Sequence, residues 1–236
     1  MRNIEFWNLY CEYWKDKIKE TKEVPNEKIL EELIDLIDLK GDVLEVGCGF
    51  GRLFPYYLTK NVDVFAIDIS DKMIEEAEKN INKNIVDIRC AKAEEIPYLD
   101  DSFDYVICLA TFDCLEQEKA LSEMLRVLKI GGKLLITGKN VYYYLDDYKA
   151  LEAEINAKKN GFPNSFTDVK KLIKQLKYKE HKIILEYYYP RRGDFSECFY
   201  YNKRPKFFYE YFLCVEKRTN AIIFKKFSKK NSKNVN

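Results

Sequence analysis

At 236 residues, 47% of them hydrophobic and 33% charged, the chain is long enough to bury a core without disulfides or metals. Its 40 basic residues nearly balance 39 acidic ones, which excludes a global electrostatic pull toward nucleic acid or anionic membranes. The cysteines (Cys11, Cys48, Cys90, Cys108, Cys114, Cys198 and Cys214) form no CxxC pair and are odd in number, which excludes a disulfide frame or a paired-cysteine zinc site and predicts free thiols.

Residues 1–40 read as a helical cap. Ile4, Trp7, Leu9, Tyr10, Tyr13 and Trp14 make one apolar face, and Leu30, Leu33, Ile34 and Ile37 make a second, with Pro25 and Asn26 as the break and cap between them. Met1 to Lys15 mixes charges with aromatics and does not read as a signal peptide, and no apolar run reaches the length of a membrane span. A cytoplasmic location is therefore expected. Val43 to Val46 reads as a strand running into Gly47, and Leu53 to Leu58 as a helix that tolerates Pro55 in its first turn. Val62 to Ile69 is the second strand. Ser70 or Asp71 then caps a helix with Met73, Ile74 and Ala77 inward. Ile85 to Cys90 and Phe103 to Ala110 are the third and fourth strands, the latter apolar enough to be covered on both faces. Leu115 to Leu128 reads as a helix ended by Gly131-Gly132, and Lys133 to Thr137 as the fifth strand.

This alternation predicts a Rossmann-like, doubly wound α/β sheet with helices on both faces. The pattern then changes. A helix from Phe166 to Leu176, capped by Ser165 or Thr167, precedes strands at Lys182 to Tyr189 and Phe208 to Val215 with no helix between them. The expectation is seven strands, mostly parallel, with the last antiparallel. Residues 41–218 form the main domain, and residues 219–236 a basic tail with Lys225, Lys226, Lys229, Lys230 and Lys233 and no acid.

Chemistry concentrates in Glu45-Val46-Gly47-Cys48-Gly49-Phe50-Gly51. Three glycines follow a strand and precede a helix, so a ligand can approach the backbone, and a helix start offers unpaired N–H groups. The spacing is GxGxG and not the GxGxxG of dinucleotide folds. Asp68, seventeen positions past Gly51 at the end of the second strand, is placed to accept both hydroxyls of a ribose. Ligands of open α/β sheets bind beyond the carboxyl ends of the strands at the switch point.

Residues Val43 to Arg52 resemble motif I of the class I S-adenosylmethionine-dependent methyltransferases, in their type-11-like, small-molecule branch. Ala66 to Ile74, Ala91 to Pro97, Asp101 to Ile107 and Leu121 to Thr137 are similar to the segments that follow in that family, in order and spacing. The resemblance implies S-adenosyl-L-methionine as cofactor and S-adenosyl-L-homocysteine as product. It implies that Glu45 fixes the glycine loop and faces the methionine amino group, that Gly47, Cys48, Gly49 and Gly51 carry the methionine part, and that Asp68 holds the ribose. Ile69 and Met73 would lie against adenine, Ala93 and Glu94 would border it, and Leu109 would lie beside the methionine. Lys92 departs from the pattern, standing where many relatives have an aspartate.

No amino-methylating Asn/Asp-Pro-Pro-aromatic motif follows the fourth strand, where the chain reads Leu109-Ala110-Thr111-Phe112-Asp113, and no double-glutamate loop is visible. A small-molecule acceptor methylated at O or N is therefore expected, with catalysis mainly by alignment. Asp113 is the candidate general base. Phe112, Asn140 and Tyr143 are expected to face the acceptor, with Tyr10 and Trp14 closing over it. His181, the lone histidine, reads as structural. No metal site is expected, and a monomer or homodimer is. An alternative keeps the fold but gives it RNA or protein as acceptor through Arg191, Arg192, Lys203, Arg204 and the tail. Two others are a cofactor-binding module without turnover and a nicotinamide-dependent oxidoreductase.

Overall fold

Apolar runs too short for helices pair into a sheet when both faces can be covered. A computed structural model describes residues 2–21 and 27–219. Its strands are β1 (Gly41–Val46), β2 (Val62–Asp68), β3 (Ile85–Cys90), β4 (Phe103–Cys108), β5 (Leu128–Lys139), β6 (Lys182–Tyr189) and β7 (Glu210–Glu216). They form one sheet in the order β3-β2-β1-β4-β5-β7-β6. The first five are mutually parallel, and β7 runs antiparallel to both β5 and β6. This is the expected seven-stranded Rossmann-like sheet with one antiparallel strand. Its order reverses between β1 and β4, which puts the switch point there.

Among the described residues seven α-helices cover it: α1 (Arg2–Thr21), α2 (Glu27–Asp35), α3 (Phe54–Tyr57), α4 (Asp71–Ala77), α5 (Gln117–Val127), α6 (Tyr148–Lys159) and α7 (Val169–Tyr178). Alternation along the strands sorts the core into two layers. Leu44, Val46, Val106, Leu134 and Ile136 pack against Leu121 and Met124 of α5 and Leu172 and Leu176 of α7. Val43, Val64, Ile107 and Leu135 pack on the other side against Leu30 and Ile34 of α2, Phe54 of α3 and Ile74 of α4.

Several local readings need correction. Gly131-Gly132 does not end α5. The helix stops at Val127, and both glycines lie within β5, where the pairing jumps from Phe103–Leu128 to Tyr105–Lys133. Lys129 in that bulge reaches Asp104 at 2.9 Å and Asp42 at 3.3 Å. The cap of α7 is Asp168, which accepts from Lys171 N–H, and not Ser165 or Thr167. Thr167 instead bridges to Asn140 and hydrogen-bonds the Tyr211 hydroxyl at 3.0 Å. Ser70 caps α4, accepting from Met73 N–H at 3.1 Å. Helix α6 is absent from the periodicity reading because its larger apolar side chains do not face the core. The Pro25–Asn26 break and residues 220–236 lie outside the described residues. At the end of β7, Lys217 is buried, with its Nζ on Asp101 at 2.7 Å and on the Leu128 carbonyl at 2.6 Å.

A Cβ on Gly132 would fall 2.8 Å from the Asp104 carbonyl oxygen and 2.9 Å from that of Lys129. Gly132→Ala is expected to lower stability by about 1–3 kcal/mol through overpacking. A urea-unfolding midpoint equal to that of the parent would refute this account of the bulge.

Candidate functional site

The turn after β1 is held to the end of β2. The amides of Gly47 and Cys48 both donate to the Ile67 carbonyl, at 2.8 and 3.1 Å, and Gly49 N–H donates to Asp68 Oδ2 at 2.9 Å. Gly47 and Gly49 sit at φ 76° and 54°, in the left-handed region. A Cβ on Gly47 would fall 2.3 Å from the Thr111 methyl carbon, so the turn passes closely under the loop after β4. Gly51 N–H donates to the Cys48 carbonyl. The amides at 47, 48, 49 and 51 are thus used within the protein, and α3 is only four residues long. The expectation that a helix start supplies free donors here is therefore corrected: the turn offers shape more than N–H groups.

Asp68 accepts one backbone hydrogen bond per carboxylate oxygen, from Gly49 N–H and from Ser70 N–H, each at 2.9 Å. A carboxylate has about four acceptor positions, so Asp68 retains acceptor capacity beside the amides of Ser70, Gly49 and Ile69. Burial raises the Asp68 pKa, while the amides of Ser70 and Gly49 hold it down.

Above this turn lies a cavity of about 310 Å³ at the carboxyl edge of the sheet. Gly47, Cys48, Gly49, Asp68, Ile69, Met73, Ala93 and Glu94 line it, together with Arg52, Ala110, Thr111 and Cys114. Glu45 stands just behind the wall, 5% exposed, with its Oε2 free of any hydrogen-bond partner. Burial lifts it to about 7, against the pull of the Arg52 charge and the Tyr57 hydroxyl. Glu94 also serves the fold, since its Oε1 accepts from Glu116 N–H at 2.8 Å. The segment carrying Ala93 and Glu94 is anchored by Arg126, which donates to the carbonyls of Ile96 and Tyr98 and pairs with Glu123 and Asp100.

The mouth is aromatic. Trp7 and Tyr10 of α1 and Phe162, beyond α6, line the cavity. Their rings and that of Phe6 pack at centroid distances of 5.2–5.7 Å, mostly edge to face. Helix α1 is seated on α4 by Lys15–Glu76 at 2.7 Å and by the Ser70 hydroxyl donating to Asn8 Oδ1 at 2.5 Å.

Other expected site residues stand elsewhere. Gly51 rests against the Phe54 ring, outside the cavity wall. Leu109 is buried in the core, and the next residue, Ala110, reaches the cavity at a left-handed φ of 55°, with its N–H on the Thr137 hydroxyl at 2.7 Å. A non-glycine residue there is strained. Phe112 points into the core, 1% exposed. Asn140 is also buried, and its amide donates to the carbonyls of Tyr142 and Phe208. Tyr143 packs on Phe166 and Tyr209. Asp113 is buried off the cavity, with Lys139 at 3.5 Å, and Lys139 also reaches Glu154 at 3.3 Å. Burial raises the Asp113 carboxyl, with Lys139 opposing. The Trp14 side chain lies outside the described residues. His181 is buried at the start of β6, far along the chain from the turn, with Nδ1 accepting from Arg218 N–H at 3.3 Å. Sequence reasoning missed Arg52, Thr111 and Phe162 as cavity residues. Only for Arg52, directly after the glycine turn, did the sequence hold a local signal.

Comparison with known proteins bears on this geometry. Residues 44–136 match the methyltransferase-domain family. Methyltransferase GfsG of Streptomyces halstedii is 30% identical over 150 residues, 59% of this chain and 54% of that protein. The chain spans about half the length or less of the curated relatives it matches. Among solved structures, a SAM-dependent methyltransferase of Thermotoga maritima, described as a possible histamine N-methyltransferase, superposes with a TM-score of 0.66 at 19% identity, over 91% of this chain and 99% of that one. Geranyl diphosphate C-methyltransferase of Streptomyces coelicolor, solved with Mg2+, geranyl diphosphate and S-adenosyl-L-homocysteine, superposes at 0.63 with 14% identity, over 81% and 79%.

Two outcomes follow from the site's electrostatics. Because Glu45 titrates near 7 when folded and its ordinary value is 4.5, the folded chain keeps a proton between those values that the unfolded chain has released. Stability contributed by that proton is therefore lost as pH rises through the window. Glu45→Gln should leave the free energy of urea unfolding unchanged at about pH 5 and raise it at about pH 8, by up to roughly 3 kcal/mol; equal changes at both pH values would count against it. Burial also holds the Cys48 thiol well above its usual range, whereas Cys90 and Cys198 are exposed. A thiol reagent at neutral pH should label Cys90 and Cys198 first and Cys48 only on unfolding, as mass spectrometry of the labelled peptides would show.

Proposed function

We propose that this chain, whose residues 44–136 match the methyltransferase-domain family, transfers the methyl group of S-adenosyl-L-methionine to an O or N atom of a small-molecule acceptor. The observation that carries the reading is the switch-point cavity with acidic acceptors beside it: the acceptor capacity left on Asp68 and the unpartnered Oε2 of Glu45. A ligand with a vicinal diol and an ammonium group fits that set. When bound, the cofactor supplies a methyl group already activated on a sulfonium.

The chain's own residues bind, orient and exclude water. Asp68 would accept the ribose hydroxyls, and Ile69 and Met73 would lie against the base, with Ala93 and Glu94 at its edge. Gly47, Cys48 and Gly49 present backbone without side-chain bulk to the amino-acid end. Glu45 would receive its ammonium group, and Arg52 would meet its carboxylate. An ammonium beside Glu45 would favour the ionised carboxylate and so reverse the penalty of burying that charge. Trp7, Tyr10 and Phe162 shield the mouth, which suits an acceptor small enough to enter beneath α1. Holding a nucleophile in line in such a space yields effective molarities of about 10⁵–10⁸ M without a dedicated base. Asp113, turned toward Lys139, is left in a structural role.

Titration calorimetry should find S-adenosyl-L-homocysteine binding in the micromolar range, about −8 kcal/mol, and no heat from NADH. Asp68→Ala should weaken that binding at least about tenfold, since hydrogen bonds to a charged group are worth roughly 1.5–3 kcal/mol each. Undiminished affinity in this variant would remove Asp68 from the ribose site.

A further inference from the structure

Helix α6 is turned with its small residues inward. Ala150 is fully buried, Ala153 and Ala157 are partly buried, and Glu154 on the same side reaches Lys139. The larger apolar residues face outward, with Tyr148 76%, Leu151 44% and Ile155 46% exposed, and Leu145 just before the helix 91% exposed. At helical spacing, 148, 151 and 155 make one stripe. A surface helix of an isolated domain normally shows the opposite arrangement, with charge outward. Lys149, Lys158 and Lys159 are exposed beside the stripe and enter no ion pair among the described residues, and Glu152 is the acid on that side. The helix leads directly to Phe162 at the cavity mouth.

We infer that the outer face of α6, with Leu145, Tyr148, Leu151 and Ile155 flanked by three lysines, docks on an anionic lipid surface. The size of the stripe argues against a second copy of the chain. A 12-residue helix offers a strip about 18 Å long and about 10 Å wide. That is on the order of 200 Å², against about 800 Å² per partner in a stable interface. A lipid surface needs no matching relief. It accepts a narrow apolar stripe to a shallow depth while lysines extend along its flanks to the headgroups. The lysines outnumber the acid on that face, so the charge suits anionic headgroups. Docking there would bring the aromatic mouth close to the bilayer.

The inference goes beyond methyl transfer and is read without turnover, so either can fail alone. The test is flotation of the full chain with vesicles of phosphatidylcholine alone and of phosphatidylcholine mixed with phosphatidylglycerol. The parent should co-float with the mixed vesicles, more at low salt than at high. The triple variant Tyr148→Ser, Leu151→Ser, Ile155→Ser should lose most of that flotation, several-fold at least, while keeping its melting temperature and its heat of cofactor binding. Leu151→Glu alone should act in the same direction and serves if the triple variant does not fold. Residues 220–236 are unchanged in these variants, so flotation through the basic tail would be equal in all. No flotation of the parent, or equal flotation of the variants, overturns the proposal. So does a concentration-dependent dimer that the triple variant abolishes, because the stripe would then be an interface between copies.

Discussion

The site depends on a short set of backbone hydrogen bonds between neighbouring strand ends. Gly47 and Cys48 donate to Ile67, and Gly49 donates to Asp68. These bonds turn the chain sharply at the end of β1 and aim it across the end of β2. They also fix one oxygen of Asp68, and Ser70 fixes the other, so the carboxylate is held in one orientation. Because Ser70 also caps α4 and holds Asn8 of α1, the same segment that orients Asp68 seats the helix covering the cavity.

The electrostatics follow from where those bonds leave the charges. Asp68 and Glu94 lie on the cavity wall and Glu45 behind it, with Arg52 as the wall's cation. Glu45 has no hydrogen bond on Oε2, and burial drives its carboxyl toward the neutral form. A buried carboxylate oxygen without a partner costs stability, and that cost is what the proposed ammonium beside Glu45 would offset. Ala110 fits the same pattern, with its backbone held left-handed where it enters the cavity.

A second group of charges, Asp113, Lys139 and Glu154, lies off the cavity. Glu210, across from Lys139 on β7, is lifted by burial to about 7. These groups join the loop after β4, strand β5 and helix α6, and they draw the inner face of α6 against the sheet. With Glu154 and three alanines turned inward, Tyr148, Leu151 and Ile155 have no core to enter and stand at the surface.

The amino-acid sequence by itself determined the strand–helix alternation, the three-glycine turn and the carboxylate at the end of β2, and narrowed the cap of α4 to Ser70 or Asp71. Each is a short-range pattern whose meaning is set by backbone geometry within a few residues. Only the tertiary structure decided that Phe162 and Trp7 share one mouth, that Ala110 and Thr111 rather than Leu109 reach the cavity, and that Asp113 turns to Lys139. It also decided that Phe112 and Asn140 serve the core and that Gly131-Gly132 lie in a strand bulge. Those outcomes rest on contacts between residues tens to more than a hundred positions apart. There a side chain's direction is chosen by the burial and charge of partners that no local window contains.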